Sequence, residues 1–247
     1  MLQLEALPIL EDNYIWVLHD DRQALAVDPG RGEPLLRWLA ERRLTLCAVL
    51  VTHHHWDHVE GLPVLAAAAP GLPIFGPARV PQVNRPLSGG ETVDALGLHF
   101  AVLSVPGHTL DHLAYHAAPW LFCGDTLFGA GCGRLFEGSP AQMHGSLGRL
   151  AALPDDTLVC CTHEYTLTNL RFAREVEPDN AALQARWARD SARRVRDEPT
   201  LPGRIDEERA TNPFLRAGEP ALQRATGTPG DMLATFTALR ERRNGFR

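Results

Sequence analysis

The sequence predicts an α/β protein whose last third is helical. Three observations carry that reading. Short apolar runs rich in β-branched residues, such as 47–51 and 98–105, alternate with helix-like stretches up to about residue 163. Residues able to hold a metal follow these runs closely, at His53, His108, Asp125 and His163. Beyond His163 the strand-like runs give way to helical patterns, and all 11 His and all five Cys lie at or before that residue.

Taken in order, Leu2–Leu10 and Tyr14–Leu18 read as strands about a turn at 11–13. Ala24–Val27 is a third strand, stopped by Asp28-Pro29-Gly30. Pro34 opens a helix, a role proline suits in a first helical turn, with Leu35, Leu36, Trp38 and Leu39 as its apolar face. The run 47–51 reads as a buried parallel strand. A helix follows over about 62–69, ended by Pro70-Gly71, and Ile74-Phe75 is a short strand. Residues 76–97 are rich in Pro and Gly and predict loop with little regular structure. Strands are expected at 98–105, 113–116, 120–123 and 157–161, with a helix at 141–153. In the tail, helices are expected at 166–176, 180–198 and 231–243, the second capped by Asp179-Asn180.

The bulk properties narrow the classes. A chain of 247 residues that is 45% hydrophobic can bury one large core or two smaller ones. No apolar run reaches the roughly 20 residues a membrane span needs. The N-terminus has no basic segment followed by an apolar core, so no secretory signal is expected. The net charge is −6. Residues 1–163 hold 9 Arg against 17 acids, and residues 164–247 hold 15 Arg against 13 acids. The Arg of the tail are interleaved with acids, which predicts neither a nucleic-acid nor a membrane partner. Five Cys without C-x-x-C spacing read as buried thiols and favour the cytoplasm.

The densest chemistry lies in Thr52-His53-His54-His55-Trp56-Asp57-His58, just past a strand end, where open α/β sheets place their ligands. Imidazole and carboxylate at this density serve a metal, not packing. His53, His55 and His108 can form one three-nitrogen site, and Asp57, His58 and His163 a second. Asp125 is a carboxylate able to bridge them. His54 reads as pointing away from the ions, and His19, His99, His116 and His144 as ordinary.

The pattern His53-x-His55-x-Asp57-His58, with His108, Asp125 and His163, resembles the ligand set of the metallo-β-lactamase superfamily. Longer stretches resemble glyoxalase II, the hydroxyacylglutathione hydrolases: Asp12-Asn13-Tyr14, Pro106–Thr109, Gly124–Phe128, Gly131-Cys132-Gly133, Phe136-Glu137-Gly138, His163-Glu164-Tyr165-Thr166 and Asn212-Pro213-Phe214. The resemblance implies a four-layer αββα sandwich over 1–165, the catalytic domain, followed by a small all-helical substrate-binding domain over 166–247. It implies two divalent metal ions per chain, zinc foremost with iron or manganese as alternatives. The implied reaction is hydrolysis of S-D-lactoylglutathione by attack of a metal-bridging hydroxide held through Asp57 and Asp125. It implies glutathione contacts from Arg134, Phe136, Tyr165, Arg240 and Arg243. Asp111 stands where the family usually has Gly. A monomer acting on a small thioester is expected. The competing expectations are a one-iron persulfide dioxygenase and a metal-dependent nucleic-acid processing protein.

Overall fold

The computed structural model describes residues 1–246, which form two compact units. The first comprises Met1–Ser104 with Asp111–Gly124, and the second comprises Val105–Leu110 with the chain from Asp125 onward.

The first unit opens with β1 (Gln3–Ile9), β2 (Asn13–His19) and β3 (Gln23–Val27), which pair antiparallel. Helix α1 (Gly32–Arg42) then crosses over to β4 (Thr45–Leu50), parallel to β3. Arg43 closes α1 in the left-handed conformation, and its amide reaches the carbonyls of Ala40 and Leu39. After the one-turn α2 (Trp56–Val59) and α3 (Leu62–Ala68), β5 (Ile74–Pro77) and β6 (Arg85–Leu87) extend the sheet in parallel. Its core forms where Leu35, Trp38 and Leu39 of α1 and Leu62 and Leu65 of α3 meet Ile15, Val17, Ala26 and Val49. The alternate residues Trp16, Leu18, Leu25, Val27 and Leu50 are equally buried on the opposite face. A sheet buried on both faces needs a second layer.

The strands β7 (Thr92–Ala95), β8 (Leu98–Ser104), β9 (Leu113–Ala117) and β10 (Trp120–Gly124) form an antiparallel meander. Tyr115 on β9 donates its hydroxyl to the Val51 carbonyl at 2.7 Å, and the Leu113 amide donates to Thr52 at 2.8 Å. These bonds tie the meander to the end of β4.

The structure corrects the reading of 76–97 as loop, because β6 and β7 both lie there. Pro86 is tolerated because β6 is the edge strand of its sheet. The β7–β8 turn is a two-residue hairpin in which Leu96 and Gly97 both have positive φ, 53° and 72°. Leucine in the first of those positions hides the turn from a composition reading. Helix α1 also begins at Gly32, two residues before Pro34.

The second unit contains the short hairpin β11 (Leu127–Phe128) and β12 (Gly131–Cys132), then α4 (Pro140–Ala151) and β13 (Leu158–Cys161). Ser139 and Gln142 form a capping box at the start of α4. Helices α5 (Thr166–Val176) and α6 (Ala181–Val195) follow, the latter capped by Asn180, whose side chain accepts from the Leu183 amide. The chain ends with β14 (Gly203–Arg204), α7 (Ile205–Thr211), α8 (Pro220–Thr226) and α9 (Met232–Asn244). Helices α7 and α8, at seven residues each, and the hairpin were not expected, because elements this short show no usable period. Ala130, Leu170, Ala173 and Leu183 pack as one cluster, and Phe214 stacks on Phe172 and meets Phe236 edge-on.

Candidate metal centre and cleft

In the first unit, the site is built outward from the end of β4. The Thr52 amide donates to Asp28 Oδ1 at 2.8 Å, and its hydroxyl donates to Asp28 Oδ2 at 2.7 Å. The single hydroxyl proton is then spent, so Thr52 Oγ1 must accept from His53 Nδ1, 3.0 Å away. His58 Nδ1 lies 3.0 Å from the same Asp28 Oδ2. Both imidazoles therefore carry a proton on Nδ1, which makes Nε2 the ring atom able to ligate a metal. His55 is extended (φ −63°, ψ 145°), and the chain then turns into α2, which puts Asp57 and His58 in a single helical turn. His53 Nε2 lies 3.0 Å from His55 Nδ1, and His58 Nε2 lies 3.5 Å from Asp57 Oδ2. Asn13 donates to Asp57 Oδ2 at 3.0 Å, and the His112 ring stacks on His53 at 4.6 Å. His54 faces Asp111, with 3.6 Å between Nδ1 and Oδ1. Among the described residues, the non-glycine ones with left-handed φ are Leu10, Asp28, Arg43, Leu96, Ala130 and Asp197, so Asp111 needs no glycine-like backbone.

In the second unit, Asp125 divides its carboxylate between two histidines. His108 Nε2 lies 3.4 Å from Oδ2, and His163 Nε2 lies 3.3 Å from Oδ1. His108 Nδ1 lies 2.7 Å from the Arg134 carbonyl, which fixes its tautomer and makes Nε2 the ring atom able to ligate a metal. A Cβ on Gly133 would collide with the Asp125 carbonyl, so only glycine permits this approach. His163 stacks on Tyr165 at 4.6 Å with 5° between planes, and Phe128 meets both rings edge-on.

These donors fit a metal. Ligand atoms on neighbouring corners of a tetrahedral zinc, with bonds of about 2.0–2.1 Å, stand about 3.3 Å apart. The four donor pairs within the units are separated by 3.0, 3.5, 3.4 and 3.3 Å. The two oxygens of Asp125, each turned to a different imidazole, fit a bridging carboxylate.

The second unit also holds a cleft of about 200 Å³. Arg134, Tyr165, Arg240 and Arg243 line it, together with Phe128, Cys132 and Asn169. Three guanidinium groups, with no carboxylate among the described residues that line it, give the cleft a cationic wall suited to an anion. Arg243 donates to Asn169 Oδ1 at 3.1 and 3.2 Å, and burial followed by the neighbouring Arg240 pushes its pKa down. Arg240 is buried, donates to the Cys132 carbonyl at 2.7 Å and lies over the Phe214 ring. It therefore supports the cleft wall as well as lining it. Burial pushes the Cys132 thiol up, against the pull of Arg240. Phe136 stands outside this cleft, 61% exposed, its ring edge-on to His108 at 5.2 Å.

Sequence reasoning missed Asp28 and gave Thr52 no role. The available signal was position: Asp28 directly follows β3, the parallel neighbour of β4, where a carboxylate can reach the adjacent strand end.

Comparison with known proteins follows this geometry. Residues 164–246 match the model of the hydroxyacylglutathione hydrolase C-terminus, and residues 10–74 and 67–163 match the metallo-β-lactamase superfamily. The chain is 52% identical to the hydroxyacylglutathione hydrolase of Albidiferax ferrireducens, covering 99% of this chain and 100% of the relative. Among solved structures, ETHE1 from Myxococcus xanthus is 25% identical with a TM-score of 0.69, covering 98% of this chain and 91% of its own. The di-iron-bound form of TTHA1623 is 28% identical with a TM-score of 0.54, over 65% of this chain and 91% of its own. The fold is thus a metallo-β-lactamase fold with a helical C-terminal extension, and its His/Asp cluster points to a dinuclear metal site. Two parallel family matches and half-identity over the full length give one answer: the chain belongs to the hydroxyacylglutathione hydrolase family of the metallo-β-lactamase superfamily.

Proposed function

We propose that this chain hydrolyses S-(2-hydroxyacyl)glutathione, foremost S-D-lactoylglutathione, to glutathione and D-lactate or a related 2-hydroxy acid, the second step of methylglyoxal detoxification. The observation that carries the reading is the arginine-lined cleft of the second unit, in a chain whose relatives carry this name. Glutathione has two carboxylates, and a carboxylate is the natural partner of a planar guanidinium. Arg134, Arg240 and Arg243 supply the charge, Tyr165 a hydroxyl, and Phe136 an apolar surface beside His108.

His53, His55, Asp57, His58, His108, Asp125 and His163 are the proposed ligands of two divalent ions, zinc foremost, with iron and manganese also compatible with an N/O donor set. Such a pair, when bound, lowers the pKa of a shared water and polarises the carbonyl under attack. The protein's part is orientation. Asp28 and the Arg134 carbonyl hold the histidine tautomers, Asn13 holds Asp57, and the arginines anchor the substrate away from its thioester. Glutathione leaves as a thiolate, and a thiol of pKa about 8.5 needs no strong general acid. Residues 1–165 are proposed as the catalytic domain and 166–247 as the substrate-binding domain, a division supported by family matches that meet at 163 and 164. Five cysteines outside any disulfide support a reducing compartment, the cytoplasm, and no helix among the described residues is long and apolar enough to cross a membrane.

The test is thiol release from S-D-lactoylglutathione by purified protein, with metal analysis of the same sample. Steady turnover with two ions per chain is expected. No thiol release from fully metallated protein would sink the reading.

A further inference from the structure

We propose that Glu208, backed by Arg186, is a positioning residue for the glutathione cleft, acting through the tight turn between β11 and β12; this rests on the reading of the cleft given above. The turn is unusual in that Ala130 holds a left-handed φ of 53°. Side chains from α5 and the α7 region bind the polar groups of its backbone. The Ala130 amide donates to Glu208 Oε2 at 2.9 Å. Asn212 donates to the Gly131 carbonyl at 2.9 Å and to the Phe128 carbonyl at 3.3 Å, and it also donates to Glu208 Oε2 at 2.9 Å. Asn169 donates to the Gly129 carbonyl at 3.0 Å. A Cβ on Gly131 would strike the Asn169 amide, so these partners sit in close contact.

Behind Glu208 lies a partly buried charge network in which Arg186 and Arg189 face Glu208, Asp190 and Glu207. Arg186 donates to Glu208 Oε1 at 2.6 Å, to Thr211 Oγ1 at 2.7 Å and to Asp190 Oδ2 at 3.4 Å. Arg186 is 2% exposed and Glu208 and Asp190 are 0% exposed. A buried ion pair is a poor source of stability, since apolar replacements of both partners are often neutral or better. Its value here is geometric. It fixes the acceptor that the Ala130 amide requires.

What the turn supports is the cleft. Phe128 and Cys132, at its two ends, both line it, and the Phe128 ring meets Tyr165 edge-on at 5.4 Å. The Cys132 carbonyl receives Arg240. Asn169, which holds the Gly129 carbonyl, uses its own oxygen to receive Arg243. Both tail arginines are therefore referenced to the segment that Glu208 holds.

The experiment compares two double variants, Arg186→Met/Glu208→Gln and Arg186→Met/Glu208→Leu. Both remove the Arg186–Glu208 pair and leave Asp190 with Arg189, which donates to it at 2.7 and 3.0 Å, and only the first keeps an acceptor for the Ala130 amide. With S-D-lactoylglutathione, the Gln variant is expected to stay within about 3-fold of wild-type KM. The Leu variant should show a KM raised about 10-fold or more, with kcat within about 3-fold. Amide exchange at Ala130 should accelerate only in the Leu variant, a readout independent of turnover. A Leu variant with wild-type KM, or equal KM increases in both, would overturn the proposal. Absence of thiol release by wild type would instead remove the substrate reading, leaving amide exchange and direct binding of glutathione to judge the positioning role.

Discussion

The His53–His58 segment and the surroundings of Asp125 orient metal-capable donors by opposite means. The first places four proposed ligands within six residues and assigns the orientation of two of them to one side chain, the buried Asp28. The second gathers three donors spread from residue 108 to residue 163 and orients His108 with a main-chain carbonyl. The difference is one of vulnerability. A compact ligand motif has little backbone to spare and relies on a side chain that one substitution can remove. A dispersed set can recruit backbone from the intervening loop, which no substitution deletes.

The largest effect that would sharpen this contrast is expected from Asp125→Ala, since its two oxygens face two histidines. At least one metal per chain should be lost, and kcat should fall by more than the roughly 10²–10³ that removal of a single oxyanion donor costs elsewhere. Full metal content with near-normal turnover would take Asp125 out of the centre. Next is Asp28→Asn. It keeps the size but weakens the acceptor for Thr52 and His58 and disturbs the tautomers of His53 and His58. Metal affinity, read by competition with a chelator, should drop about 10–100-fold. Unchanged affinity would mean that the compact motif orients itself, and the contrast would fail.

The cleft should respond differently from both ligand sets. Arg243→Ala is expected to raise KM for S-D-lactoylglutathione about 10–100-fold, as loss of a charge-assisted bond of roughly 1.5–3 kcal/mol implies. Because the contact is remote from the thioester, kcat and metal content should hold. A fall in kcat at constant KM would place Arg243 in the chemical step. Arg240→Ala should combine a KM increase with a lower Tm, because it also frees the buried Cys132 carbonyl. The smallest effect is expected from Tyr165→Phe, a KM increase of about 2–10-fold from one neutral hydrogen bond, with the ring stack on His163 retained.

How legible each region was follows from the same contrast. The His53–His58 motif, the strand before it and the long helices of the tail could all be read, because density and period are local properties. His108, Asp125 and His163 were readable as residues that follow strands. Asp125 was also readable as a possible bridge, whereas the assignment of each oxygen to one ring, Oδ2 to His108 and Oδ1 to His163, depends on chain segments far apart in sequence. Asp28 was hidden for another reason. It reads as a turn acid, and only the parallel pairing of β3 with β4 brings it to Thr52. The β11–β12 hairpin and α7 were too short to see, although Phe128 and Cys132 of the hairpin line the cleft. Arg240 was readable as a cation at helical spacing from Arg243, but its burial against Phe214 was not.

Arg134 carries an evolutionary consequence. Its carbonyl serves His108, while its side chain lines the cleft. The two duties reside in chemically separate parts of one residue. Every amino acid supplies the carbonyl, so drift at position 134 can retune what the cleft selects and leave the imidazole undisturbed. Position 28 has no such freedom, because there the supporting oxygens belong to the side chain itself. In a lineage exploring new thioesters, position 134 is open to selection and position 28 is closed to it.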